Sequence, residues 1–264
     1  MLNAGDINVK LGGTTILQGV DFHARPGELT SIVGPNGSGK TTLLRAMTGE
    51  VPFTGEVELN DRNIRSMKPH ELAAIRGVLP QATALAFPFT VIEVVRLGLE
   101  AGISAGRETL PAMALERVGL AGYEGRFYQD LSGGEKQRVQ LARVLAQIWE
   151  PVLDGAPRWL FLDEPVSALD IGHQLTVMQL ARDYADAGGG VVAVMHDLNL
   201  TAMFSDRVTL MTGGQVAASG SAEAVLRDDH LSRAYGVSVH TSVPPPLGGI
   251  YILPQAATSP GLKS

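Results

Sequence analysis

The sequence predicts an α/β protein on three observations: short apolar runs that end in glycine or charge, one such run leading through a glycine-rich loop into a helix, and a long middle stretch at helical spacing. Residues 7–10, 16–22 and 29–33 read as short strands separated by Gly-rich turns. The third runs straight into Gly34, and residues 42–47 continue at helical spacing until Gly49 stops them. Residues 55–60 read as a further strand. The stretch from about 90 to 145 is mostly helical, broken at Gly102, Gly106, Gly119 and Gly122, with its last helix over 135–146, and is expected to form a separate helical lobe. Residues 159–162 and 191–195 are apolar runs that end in charged residues, as buried parallel strands do when their carboxyl ends form an active edge. After about His240 the Pro- and Gly-rich tail loses any pattern, and no internal repeat is apparent.

Composition bounds the function. The 264 residues, 45% hydrophobic and 18% charged, suffice for one large core or two modest lobes. A net charge of -6 with no compensating Lys/Arg block argues against nucleic acid as a partner. With no cysteine there is neither a disulfide framework nor a thiolate metal site, which fits a reducing compartment. No basic flank precedes a long apolar run at the start, and no stretch reaches the roughly 20 apolar residues of a spanning helix, so a membrane role is expected to run through a partner.

The chemistry begins at Gly34, Pro35, Asn36, Gly37, Ser38, Gly39, Lys40, Thr41 and Thr42. Gly34, Gly37 and Gly39 let backbone N–H groups approach phosphate oxygens with no Cβ in the way, and the following helix N-terminus adds its dipole. Lys40 is expected to reach the β- and γ-phosphates of a nucleotide and the Thr41 hydroxyl to ligate Mg2+. At the end of the run 159–162, Asp163 suits a Mg2+ water, and Glu164 beside it is placed to polarise an attacking water. Two adjacent carboxylates at a strand tip repel, which favours a site holding a cation. Farther along, Leu131-Ser132-Gly133-Gly134-Glu135 opens a helix: Ser132 with the Gly133 and Gly134 amides makes a second helix terminus suited to an anion, and a helix cap whatever else it does.

These motifs together resemble the ATP-binding cassette family, over nearly the whole chain from about 7 to 240. The resemblance implies a P-loop NTPase core of mixed sheet with flanking helices, an N-terminal antiparallel β subdomain and an inserted α-helical subdomain. The implied division is a single ATPase domain over 1–240, its core about 1–82 and 156–240 and its helical subdomain about 83–155, followed by a tail over 241–264. It further implies that Gln81 sits in the loop joining core to helical lobe and contacts Mg2+ and the water, that His196 contacts the γ-phosphate and positions the water with Glu164, and that Asp170, after Ser167, belongs to the nucleotide site. Ser132, Gly133 and Gly134 would read the γ-phosphate bound to the opposite subunit, so that ATP and Mg2+ are clamped in a homodimer and hydrolysis releases it. Two positions depart from the family: Leu11 stands where an aromatic residue usually stacks on adenine, so apolar contact is expected instead, and Val166 stands where Thr is common.

The segment from Gln81 through Phe87 to Thr90, followed by Glu93 to Gly98, resembles importers of iron chelates, haem and cobalamin. The stretch 147–158, with Trp149, resembles the insertion carried by bacterial haem-importer ATPases. The resemblance therefore implies an ATP-hydrolysing importer subunit for haem, with iron-siderophore or cobalamin import as alternatives and a soluble non-transport cassette ATPase as the alternative of a different class. Its implied partners are two transmembrane permease subunits and, indirectly, a periplasmic haem-binding protein, at the cytoplasmic face of the inner membrane.

Overall fold

The computed structural model describes residues 1–81, 87–101, 107–244 and 248–257. In chain order the strands are β1 (Leu2–Leu11), β2 (Thr14–Ala24), β3 (Leu29–Val33), β4 (Thr54–Leu59), β5 (Arg62–Asn63), β6 (Arg76–Leu79), β7 (Val152–Leu153), β8 (Ala156–Pro157), β9 (Trp159–Asp163), β10 (Gly190–Val194), β11 (Arg207–Thr212) and β12 (Gln215–Ser221). The helices are α1 (Lys40–Met47), α2 (Pro69–Ile75), α3 (Val91–Ala101), α4 (Leu110–Arg117), α5 (Gly133–Gln147), α6 (Ile171–Asp186), α7 (Leu198–Phe204), α8 (Ala222–Val225) and α9 (Asp228–Tyr235).

The large sheet has the order β12-β11-β3-β10-β9-β6 and is parallel except for its edge strand β12. Strands β3, β9 and β10 are buried along their whole length, because both faces of this sheet are covered. Alternate residues serve two cores. Leu160, Leu162, Val191 and Ala193 face a core shared with α3 to α7, whereas Trp159, Phe161, Val192 and Val194 face one shared with α1 and the smaller sheet. Along β9 and β10 a residue pointing to either face is thus apolar, and the charged Asp163 stands at the strand end.

The smaller sheet, β2-β1-β4-β5, is antiparallel. Its first two strands are longer than the sequence pattern indicates. Asp6 has φ 49° and the β1–β2 register shifts between Ala4 and Ile7, so a bulge interrupts the alternation by which a strand is recognised. The Asp6 N–H donates to Asp21 Oδ1 at 2.9 Å, which anchors the bulge.

Within the middle stretch α3 and α4 both pack on α5. The expected breaks at Gly119 (φ 71°) and Gly122 (φ 82°) are turns, while Gly102 and Gly106 lie outside the described residues. The last helix begins two residues earlier than its spacing indicates, at Gly133, because Ser132 supplies the cap. The stretch 147–158 folds into the β7–β8 hairpin, whose turn residues Asp154 (φ 49°) and Gly155 (φ 76°) both take left-handed conformations, as a tight two-residue hairpin requires. Trp149, ahead of it in the chain, packs against the core shared with the helices, with the Arg117 guanidinium 4.3 Å over its ring. No helix among the described residues is long and apolar enough to cross a membrane.

Candidate functional site

The carboxyl ends of β3, β9 and β10 converge on one cleft of about 580 Å3, lined by Ile16, Asn36, Gly37, Gly39, Lys40, Thr41, Thr42, Gln81, Glu164 and His196. Residues far apart in sequence meet there because parallel neighbours end at the same sheet edge. The loop from Gly34 to Gly39 leaves β3 and enters α1, with Gly39 at φ 96° as N-cap. The close approach is strict at Gly34, with φ 146°, where a Cβ would fall 2.1 Å from the Met211 carbonyl oxygen. Gly34, Pro35 and Ser38 shape the loop from behind and do not line the cleft.

Lys40 is buried, and its Nζ donates to the carbonyls of Gly34 at 2.9 Å and Pro35 at 3.0 Å. Burial pushes this ammonium below the usual lysine range, while Glu164 and Asp163 pull it back up. A buried cation tethered only to backbone carbonyls is suited to a more strongly anionic partner such as a phosphate.

Asp163, at the end of β9, is also buried. Its Oδ1 accepts the Thr41 hydroxyl at 2.8 Å. Burial raises its carboxyl above the ordinary aspartate range, Thr41 opposes that shift, and the neighbouring Glu164 adds to it. A desolvated carboxylate held only by a neutral hydroxyl fits a divalent cation. Among the described residues no group of three or more His, Asp or Glu could hold a metal. The Thr41 hydroxyl and the Asp163 carboxylate, with Gln81 also lining the cleft, are hard oxygen donors of the kind that suits a divalent cation such as Mg2+.

Glu164 follows in a left-handed conformation, φ 53°, which is uncommon for a residue with a Cβ. Its Oε1 lies 2.7 Å from His196 Nε2. His196 is carried at the end of β10 just before Asp197, which caps α7 by accepting from the N–H groups of Asn199 at 2.7 Å and Leu200 at 2.9 Å. The pair thus stands at the cleft on two adjacent strand ends, with the glutamate shielded and the histidine partly exposed.

Ser132, Gly133, Gly134 and Asp170 are not part of this cleft. Ser132 caps α5 by accepting the Glu135 N–H at 3.3 Å, and Glu135 Oε2 accepts in return from the Ser132 N–H at 2.8 Å and its hydroxyl at 2.7 Å. These bonds hold the Glu135 carboxyl below its ordinary range. A Cβ on Gly133 would meet nothing within 4 Å, whereas one on Gly134 would come 3.0 Å from the Ala168 carbonyl oxygen. Asp170 caps α6, accepting from the His173 N–H at 3.0 Å.

Two groups at the site are absent from the sequence reading. Ile16 is the apolar side chain in the cleft lining, and Leu11, where apolar contact was expected, is exposed and outside it. Gln137 donates through Nε2 to the Glu164 carbonyl at 2.8 Å. Ile16 resembles any other strand residue in sequence. Gln137 sits beside the Ser132 motif, but only tertiary packing brings it to Glu164.

Residues 17–167 match the family described as ABC transporter, and the chain belongs to that family. It is an ATP-binding cassette ATPase. Among curated relatives, it is 60% identical to the "Hemin import ATP-binding protein HmuV" of Jannaschia sp. (strain CCS1), over 99% of this chain and 97% of that protein. It is 62% identical to the protein of the same name from Roseobacter denitrificans, over 97% of this chain and 98% of that one. Among solved structures, it resembles a dimeric bacterial ABC transporter cassette with TM-score 0.72 at 28% identity, covering 84% of this chain and 99% of that one. A dimeric cassette in a post-hydrolysis state bound to ADP and Pi gives TM-score 0.72 at 27% identity, with the same coverage of both chains.

Proposed function

We propose that this chain is the ATP-hydrolysing subunit of a haem importer, working as an ATP-clamped homodimer against two transmembrane permease subunits at the cytoplasmic face of the inner membrane. The cargo rests on the near-full-length similarity to proteins named for hemin import. A periplasmic haem-binding protein would be the further, indirect partner. One ATPase domain over 1–240, with its helical part at about 83–155 and a tail from 241, belongs to the same reading.

The observation that carries the mechanism is the Glu164–His196 contact in the cleft that Lys40 and Thr41 also line. In this reading the Gly34–Thr42 loop and Lys40 bind the β- and γ-phosphates. Mg2+ held by Thr41, Asp163 and Gln81 would neutralise charge developing on the phosphates. Glu164 accepts the proton of the attacking water at its carboxylate, and His196 orients that carboxylate and meets the γ-phosphate. Ser132, Gly133 and Gly134 complete the site of the opposite copy, with Asp170 holding the adjoining turn. The exposed, self-capped N-terminus of α5 supports this assignment, because Gly133 has open space around it.

Replacing Glu164 with Gln tests the assignment. Turnover is expected to fall at least roughly a hundredfold while ATP binding persists and an ATP-bound dimer accumulates, read by phosphate release and size-exclusion chromatography. Turnover near the parent rate would sink the general-base role. Stimulation of ATPase activity by haem, rather than by a siderophore or cobalamin, in liposomes holding the whole complex tests the cargo.

A further inference from the structure

The conformation of Glu164 needs an explanation that its own side chain does not supply. Its φ of 53° places the peptide on the carboxyl side in a direction that an L residue rarely selects, so neighbouring groups must hold it. On the amino side, the Glu164 N–H donates to the Val194 carbonyl at 3.1 Å, which ties it to β10 and so to the strand leading to His196. On the carboxyl side, the Glu164 carbonyl accepts from Gln137 Nε2 at 2.8 Å, from the Ser167 hydroxyl at 3.2 Å and from the Ser167 N–H at 3.4 Å. The Gln137 bond is the shortest of these, and the only one from outside the turn itself.

Its direction is settled by chemistry. A carbonyl oxygen only accepts, so the amide nitrogen of Gln137 must face it. Gln137 Oε1 is buried with no hydrogen-bond partner among the described residues, so the bond to Glu164 is the one hydrogen bond this amide makes among them.

Gln137 also lies three and four residues beyond Gly134 and Gly133, on the same face of α5. Gly134 packs on the same turn, since a Cβ there would come 3.0 Å from the Ala168 carbonyl and 3.2 Å from Leu169 Cδ2. The first turns of α5 and the segment 164–169 are therefore joined at both ends, by close backbone approach at Gly134 and by a hydrogen bond at Gln137.

We infer that Gln137 is a positioning residue for hydrolysis: its amide holds the Glu164 peptide in the conformation that aims the carboxylate into the nucleotide cleft, and it ties that peptide to the helix whose exposed N-terminus carries Ser132 and Gly133. The inference rests on the reading of Glu164 as general base. Its consequence is a link inside one chain: whatever settles against the N-terminus of α5 is felt at the Glu164 of that same chain.

Gln137→Met keeps the length of the side chain and deletes the donor. Expected is a kcat about tenfold lower with the KM for ATP within about twofold, since an aimed carboxylate matters in the transition state more than in ATP binding. In a Glu164→Gln background, Gln137→Met should leave the ATP-trapped dimer unchanged, which a general defect in α5 would not. Gln137→Lys, which retains a donor on a long stem, should recover part of kcat and serves also if the Met variant folds poorly. A Gln137→Met protein with kcat within twofold of the parent, beside a dead Glu164→Gln protein, would overturn the positioning role alone. Equal losses of kcat and of trapped dimer would overturn it too, by assigning the effect to α5 as a whole. An active Glu164→Gln protein would instead overturn the base assignment and this inference with it.

Discussion

The N-termini of α1 and α5 both offer backbone N–H groups to an anion, but the first is enclosed by its own chain and the second is bare. At α1, Gly34 lies against the Met211 carbonyl, Gly39 lies against Leu17, and Lys40 is buried beneath the loop. At α5, Ser132 and Gly133 are exposed, and Ser132 and Glu135 bond to each other reciprocally. Glycine at the first site is demanded by the fold of this protomer. Glycine at Gly133 is demanded by nothing within it, which is what a surface that meets an opposite subunit would show. On the proposed reading, the two sites would divide one task between an internal cradle and an external one.

The largest expected effect comes from filling the bare site. Ser132→Arg places a long cation where a phosphate-bearing surface would approach in close steric register. ATP-dependent dimerisation should be lost and turnover should drop about a hundredfold, with ATP affinity of the monomer within a few fold of the parent. Dimerisation that survived this change would break the contrast, since α5 would then have no role between subunits.

Alanine substitutions sharpen it next. Gly34→Ala drives a Cβ into a main-chain oxygen and should cost roughly 2–3 kcal/mol of stability, measured by denaturant unfolding. Gly133→Ala adds a methyl to open space in the first turn of a helix, so stability should stay within about 0.5 kcal/mol of the parent or rise slightly. Its turnover should nevertheless fall. Equal stability losses at the two glycines would remove the distinction between fold-demanded and partner-demanded glycine.

The smallest expected effect concerns the charge stored at the enclosed site. Burial raises the Asp163 carboxyl in the folded state, so ionising it opposes folding as pH rises above the ordinary aspartate range. Asp163→Asn removes that penalty and keeps an acceptor for Thr41. Without nucleotide at neutral pH its Tm should rise by about 2 °C, although turnover is lost. The gain should shrink as pH falls below the ordinary aspartate value, where the parent carboxyl is neutral in both states.

Much of this was legible in the sequence. The strands over 29–33, 159–162 and 191–195 announce themselves because double-sided burial makes them apolar without interruption. The Gly34 loop announces itself because backbone approach to an anion admits few residue types. The elements over 62–79, 171–186 and 198–235 carry no such signal: α2 and β6 are short, α6 has a mixed polar surface, and β12 alternates small and polar residues at an exposed edge. Of the cleft itself, Ile16 replaces the expected Leu11, because which residue of a β-hairpin overhangs a cleft depends on register and bulge.

By itself the sequence determined the chemistry of the parts: glycines that admit phosphate, a lysine and a threonine beside them, paired carboxylates at one strand end, and a capped helix with a Ser-Gly-Gly start. These are local properties, set by side-chain type and by what a backbone can do over a few residues. Only the tertiary structure decided which parts meet. Parallel strands brought Glu164 to His196 and Thr41 to Asp163, and helix packing brought Gln137 to the Glu164 carbonyl. Such contacts depend on directions fixed by the sheet and by the cores on its two faces, and no spacing along a chain encodes a direction in space.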